Sequence, residues 1–374
     1  MIDWSYYSNL FPANEKTIWL NNCGTTPIST FAFSKVNEYL VEYSKFGTIH
    51  SFSIYSKIQK SIKSILASLL HCETDELAII HNTSEGMNFI SRGIELSSGD
   101  EILLLENEYP ANVYPWDHWK EKAVQIHFVK LGRSQNEFLE NLKSTITEKT
   151  KLVSFSAVHW GTGLPLPLKE IGVLCKDRNI LFAVDGAQGI GHIPIDVQEM
   201  NISYLSASGW KWLLGPLGVG ILYINSSKPI KSIFKGTQSV SGSEVYLPYK
   251  NEFKPNAEKF EFSTPNFTDW VYFEASLNML SELGFESVMK RINELSYYLY
   301  QGLESNGFTL ALENPKELRG ILSMSHSKVT STEIHRKLLT QNIVVGDRIG
   351  FTRFSPHVYN TFEQLDRVIS LTKL

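Results

Sequence analysis

The chain is poor in cysteine. Its three cysteines, Cys23, Cys72 and Cys175, are odd in number and widely spaced, with no CxxC pair. That excludes a disulfide framework and a zinc knuckle, and it fits a reducing compartment. No stretch approaches the ~18 consecutive apolar residues of a membrane span. The opening Met-Ile-Asp-Trp-Ser-Tyr-Tyr has no basic segment leading into an apolar one. A cytoplasmic protein with no membrane partner is expected. The formal net charge is only −4 and there is no block of like charges, which argues against nucleic acid or an anionic surface as the main partner. Internal repeats and low-complexity segments are absent too. The run Gly215-Pro-Leu-Gly-Val-Gly has its glycines in the wrong order for GxGxxG and opens no βαβ unit, so a nicotinamide enzyme is disfavoured.

At 374 residues the chain exceeds what one hydrophobic core serves, so a large and a smaller domain are expected. Apolar runs of strand length at 77–80, 102–105, 125–129, 152–155, 180–184, 204–207 and 220–224 alternate with helix-like stretches. This predicts an α/β fold with a mostly parallel seven-stranded sheet. Leu168, Ile171, Leu174 and Cys175 fall at helical spacing, which assigns Cys175 to the core. The character changes in the Pro/Asn/Lys-rich stretch at 249–259. After it a long helical pattern runs through Val288, Ile292, Leu295, Leu299 and Leu303, followed by strand candidates at 321–325 and 343–345. The expected division is 15–255 for the large domain and 256–374 for a small α+β domain, with 1–14 packing on the latter.

Two segments carry chemistry. Lys211 lies in Ser208-Gly-Trp-Lys-Trp-Leu-Leu-Gly, a short distance after Val184-Asp-Gly-Ala-Gln. An amine that holds an aldehyde as a Schiff base, with a carboxylate (Asp185) that keeps a pyridine nitrogen protonated, is what pyridoxal 5'-phosphate (PLP) requires. The second segment, Asn82-Thr-Ser-Glu-Gly-Met-Asn, follows the first strand and opens a helix. Helix N-terminal N–H groups with the Thr83 and Ser84 hydroxyls form a phosphate cradle, although the same residues also suit an ordinary helix cap.

Together with Leu20-Asn-Asn-Cys-Gly-Thr-Thr-Pro, Asn107-Glu-Tyr-Pro-Ala-Asn-Val-Tyr-Pro-Trp, Phe260-Glu-Phe-Ser-Thr-Pro-Asn and Thr352-Arg-Phe-Ser-Pro-His-Val-Tyr-Asn-Thr, these motifs resemble the class V aminotransferase family nearly end to end. That family of fold-type I PLP enzymes includes cysteine desulfurases, cyst(e)ine lyases, kynureninases and isopenicillin N epimerase-like proteins. The resemblance implies that Tyr109 stacks on the cofactor, where relatives often place His. Asp185 pairs with the pyridine nitrogen, Gln188 bonds the phenolic oxygen, and Ser208 joins the phosphate. Trp210 stands where relatives commonly have His. Thr264 matches a residue that reaches the neighbouring subunit's phosphate, which implies a homodimer with active sites at the interface. Arg353, with Arg348 a less secure candidate, matches the element that grips the substrate α-carboxylate. His159 and Trp160 are placed to shape the substrate pocket. His159 has two readings, a general acid or base and a structural histidine.

Reaction type is less legible, because one cofactor supports several outcomes. The leading expectation is an aminotransferase acting on the α-amino group of a small amino acid, with Lys211 catalytic. The alternative is a C–S β-lyase acting on cysteine or cystine, and the third is a non-catalytic partner protein of the same fold. Desulfurases that carry a persulfide need a cysteine shortly before the carboxylate arginine, and 342–352 contains none. Trp160-Gly-Thr-Gly is similar to the corresponding stretch of cyst(e)ine C–S lyases.

Overall fold

A computed structural model describes residues 2–373, apart from the side chains of 49–53; residues 1 and 374 of the two terminal segments fall outside it. The chain begins with α1 (Trp4–Asn9), β1 (Ile18–Trp19), α2 (Thr30–Phe46) and α3 (Ile49–Leu70). It then alternates β2 (Leu77–Ile80), α4 (Thr83–Gly93), β3 (Glu101–Leu105), β4 (Gln125–Val129), α5 (Gln135–Thr145), β5 (Thr150–Ser156), α6 (Leu168–Asp177), β6 (Leu181–Asp185), β7 (Tyr204–Ser208) and β8 (Gly220–Ile224). Beyond these come α7 (Phe267–Leu283), α8 (Phe285–Ser305), β9 (Phe308–Leu310), β10 (Leu322–His326), α9 (Ser331–Leu339), β11 (Ile343–Val344), β12 (Gly346–Arg348), β13 (Phe351–Phe354) and α10 (Phe362–Leu371).

The seven-stranded sheet has the order β2-β8-β7-β6-β5-β3-β4. β8 runs against both of its neighbours and the other pairs are parallel. Two reversals restore the direction of β2, so β2, β3, β5, β6 and β7 all end on one edge. Apart from the exposed edge strand β4, both faces are covered, which is why the strands read as near-continuous apolar runs. Alternate residues serve opposite cores. Leu103, Val153, Phe182 and Leu205 face the cluster with Ile171 of α6 and Leu66 of α3, whereas Leu104, Leu152, Ala183 and Tyr204 face α4, Trp116 and Trp119. Cys175 is in the first of these cores, at 1% exposure.

The second layer is an antiparallel sheet of order β12-β13-β10-β9. It is backed by α8, whose Val288, Ile292, Leu295, Leu299 and Leu303 are all buried. The strand expected at 343–345 is not part of this sheet; β11 pairs parallel with β1, whose Ile18 is opposite Ile343. The N-terminal segment is anchored at Tyr359. Ser8 Oγ and Asn14 Nδ2 each donate to its carbonyl at 2.8 Å, and Phe11 packs on its ring. α7 lies on α2 and α3 on the large-sheet side. We therefore propose Gly284, between α7 and α8, as the division between the layers rather than 255/256. Among the described residues no helix is long and apolar enough to cross a membrane.

Candidate active site

The shared edge of the sheet opens into a cavity of about 660 Å³. Each wall comes from the residues that follow one strand end: Thr83 and Ser84 after β2, Tyr109 after β3, Trp160 after β5, Asp185 and Gln188 at and beyond β6, and Ser208, Trp210 and Lys211 at and beyond β7. Ligands of open α/β sheets bind at such carboxyl ends. Arg353 of β13 and the Asn21–Cys23 turn after β1 close the cavity from the other layer.

The anion end is built by α4. Asn82 caps the helix, its side-chain oxygen accepting from the Glu85 N–H at 2.9 Å. The cap is made by Asn82, and the Thr83 hydroxyl is paired instead with Ser208 Oγ at 2.7 Å. Ser206 Oγ donates to the Thr83 carbonyl at 3.1 Å and fastens the first helical turn to β7. The positive dipole end of α4 therefore faces the cavity beside the Thr83, Ser84 and Ser208 hydroxyls.

Across from it stand an amine and a carboxylate. Asp185 is 3% exposed and accepts from the Ala187 N–H at 2.9 Å. Burial, then the Glu108 charge, push its carboxyl up to about 7, while the Ala187 N–H and Lys211 oppose the rise. Burial lowers the proton affinity of the Lys211 amine; Asp185 and Cys23 work against that and Arg353 adds to it. Lys211 Nζ lies 5.9 Å from the centre of the Tyr109 ring. A buried carboxylate with room for one more donor, an amine whose proton affinity burial lowers, an aromatic lid and an anion cradle fit pyridoxal phosphate, with Asp185 toward the ring nitrogen and Thr83, Ser84 and Ser208 toward the phosphate.

Gln188 is held at both ends. Trp212 Nε1 donates to its Oε1 at 3.0 Å, and its Nε2 donates to the Cys23 carbonyl at 2.8 Å, leaving one amide hydrogen for a ligand. Arg353, 3% exposed, donates through Nη1 to the Trp160 carbonyl, while its buried Nε has no partner. The Arg353 side chain lines the cavity. Trp160 stacks edge-on to Tyr109, with ring centres 5.7 Å apart, and its indole N–H donates to the Asn107 carbonyl at 2.8 Å. Arg348 lines the exposed mouth.

Two expected residues sit elsewhere. His159 does not line the cavity. Its Nδ1 accepts from the Thr162 N–H at 3.1 Å, and its Nε2 is 3.1 Å from the Asn107 carbonyl, so that nitrogen carries the proton and both are occupied. Burial holds its pKa down to about 4, so it is a neutral brace for the Trp160 turn rather than an acid or base. Thr264 is exposed in a separate small pocket with His81, Glu85 and Asn266, away from Lys211. The sequence reading did not single out Glu108, a buried carboxylate beside Tyr109. Its position in a loop before Pro110 gave no signal.

A family model described as Aminotransferase class-V matches residues 18–368. A probable cysteine desulfurase of Pyrococcus abyssi is 25% identical, with 96% of this chain and 94% of that protein covered. The cysteine desulfurase IscS of Rickettsia prowazekii is 26% identical, with 95% and 90% covered. Among solved structures, the cystine C–S lyase C-DES, in complex with its product cysteine persulfide, superposes with a TM-score of 0.89 at 23% identity over 97% of this chain and 99% of that one. A cysteine desulfurase from Thermococcus onnurineus NA1 gives 0.90 at 22% identity, with 100% and 98% covered.

Proposed function

The chain belongs to the class-V aminotransferase family and is a PLP-dependent enzyme, and from that premise we propose that it is a β-lyase that breaks the Cβ–S bond of a cystine-like amino acid. The relatives named above act in sulfur chemistry, so this alternative displaces the expected aminotransferase, and it displaces the non-catalytic reading as well. The observation that carries it is the segment leading to Arg353. Residues 346–354 form a tight hairpin, β12 paired with β13 through the Ile349-Gly350 turn, and no cysteine lies in it. Cys175 is in the core and Cys72 lies beyond the end of α3; Cys23 borders the cavity but is 1% exposed, its thiol accepting from Ser355 Oγ at 3.0 Å. With no thiol positioned to take sulfur on that hairpin, sulfur leaves on the substrate's own fragment.

Bound PLP supplies a ring that accepts the electron pair released at the substrate's α-carbon. Arg353, which lines the cavity, grips the α-carboxylate and fixes the α-carbon against Lys211. The Lys211 amine, its proton affinity lowered by burial, takes the α-proton. Tyr109 and Trp160 form an aromatic wall of the cavity. With cystine and water the products are pyruvate, ammonia and cysteine persulfide. A homodimer is part of this reading, supported by the apolar residues Phe33, Leu40, Val41 and Tyr43 exposed on α2 and by the outward position of Thr264.

The test is to mix holoenzyme with cystine or cysteine, without a 2-oxo acid acceptor, and count pyruvate and persulfide sulfur per site. Continued release from cystine, lost in Lys211→Ala, is expected. A stop after one equivalent with pyridoxamine phosphate formed means transamination, and persulfide trapped on the protein means a desulfurase; either result refutes the proposal.

A further inference from the structure

We propose that Glu108 is a positioning residue of this site: its ionised carboxylate, clamped between the Tyr109 loop and the end of β5, fixes the stacking tyrosine and favours positive charge at the atom that meets Asp185. The inference rests on the PLP reading and not on which substrate is cleaved.

The clamp is unusually complete for a group 6% exposed. Glu108 Oε1 accepts from the Tyr109 N–H at 2.7 Å and from Ser156 Oγ at 2.5 Å; Oε2 accepts from the Ser156 N–H at 2.8 Å and from Asn112 Nδ2 at 3.2 Å. Asn112 is itself held, its Oδ1 accepting from Ser154 Oγ at 2.6 Å. Three of the four partners, the Tyr109 N–H, the Ser156 N–H and Asn112 Nδ2, can only donate and match an acceptor-only carboxylate, and the Ser156 hydroxyl is the one group of the clamp that could accept from a protonated one. No cation pairs with Glu108 among the described residues; burial raises its proton affinity, and the four hydrogen bonds oppose that rise without cancelling it.

Position gives the charge its effect. Ser156 is the register partner of Asp185 across β5 and β6, so the residue that clamps Glu108 stands beside the ring-facing carboxylate. The charged groups acting on Asp185 are Glu108 and Lys211, and Lys211 also feels Cys23 and Arg353. A nitrogen facing Asp185 therefore lies in the field of two carboxylates and holds its proton to higher pH than one carboxylate would allow. The Tyr109 N–H bond means that the same group sets where the aromatic lid begins.

The test uses full-chain holoenzyme carrying PLP with 15N in its ring, followed by 15N NMR against pH, with the Glu108 carboxyl followed by 13C NMR. In the wild type Glu108 is expected to be ionised at neutral pH with the ring nitrogen protonated. In Glu108→Gln the nitrogen should lose its proton at lower pH, its proton affinity weakened about tenfold or more. Ser156→Ala, which loosens the clamp but keeps the charge, should shift the Tyr109 resonances and leave the nitrogen titration in place. A Glu108 protonated at neutral pH in the wild type overturns the proposal even where the glutamine variant does not fold, and so does an identical nitrogen titration in wild type and Glu108→Gln. A wild type that binds no PLP would instead refute the cofactor reading.

Discussion

Replacing Gly86 by alanine tests whether the close seat of α4 on β7 is what makes the phosphate cradle. A Cβ on residue 86 would lie 2.2 Å from Ser206 Oγ, 2.7 Å from Ile80 Cδ1 and 2.8 Å from Ser206 Cβ. Turning the serine hydroxyl away does not help, because its own Cβ still clashes. Helix and strand must separate, and the Ser206 bond to the Thr83 carbonyl lengthens with them. Overpacking of this kind costs about 1–3 kcal/mol, against about 1 kcal/mol that alanine gains over glycine inside a helix. The net effect is a modest loss of stability. The functional loss is larger, because Thr83 and Ser84 move with the helix relative to Ser208. Losing one charge-assisted bond to phosphate costs about 1.5–3 kcal/mol, or about 10- to 150-fold in affinity. The assay is to strip the enzyme of PLP, add it back in steps, and follow absorbance of the lysine-bound cofactor with Tm alongside. Ser206→Gly in the Gly86→Ala background should restore part of the loss, since it removes both serine atoms. Unchanged PLP affinity in Gly86→Ala would refute the reasoning.

Arg353→Lys should lower kcat/KM about 10- to 100-fold, because a point charge cannot replace the two-pronged grip; rates within error of wild type would take Arg353 out of carboxylate binding. Replacing Cys23, Cys72 and Cys175 together by serine should leave continued pyruvate release from cystine, and a complete loss in folded protein would put a thiol back into the reaction. His192 is stacked on Trp212 at 3.9 Å, and burial, with lesser contributions from His357 and Arg319, holds its pKa down to about 3. It stays neutral in the folded state while the unfolded chain takes a proton below its ordinary value near 6.5. Wild type should therefore lose stability relative to His192→Phe as pH falls from there toward 3, by about 1.4 kcal/mol per pH unit in urea titrations. A pH-independent difference would mean that the buried ring is protonated.

How much of this was legible in the sequence follows from how local each cause is. Strands β2, β3 and β5 to β8 were readable within a residue or two because a sheet covered on both faces favours apolar runs, whereas the edge strand β4 was read from Ile126, Phe128 and Val129 although most of it is exposed. The reversed direction of β8 was not readable, since burial is the same either way. β9, β12 and β13 are short and carry Thr309, Asp347, Arg348 and Arg353, so they lack a run to read. Residues 343–345 read correctly as a strand, but the partner, β1, lies more than three hundred residues earlier in the chain. The same contrast divides the site. Lys211, Asp185, Ser208 and Thr83 follow directly from strand ends, and their residue types are fixed by cofactor chemistry. His159 has the right type and place for catalysis, and only the Thr162 N–H and the Asn107 carbonyl show that both nitrogens are already used. Glu108 is the converse case, a loop carboxylate whose importance comes from donors on Ser156, some fifty residues away. Residues whose partners are close in sequence or absent from the chain are legible from type and spacing; those whose role is set by a distant protein group are not.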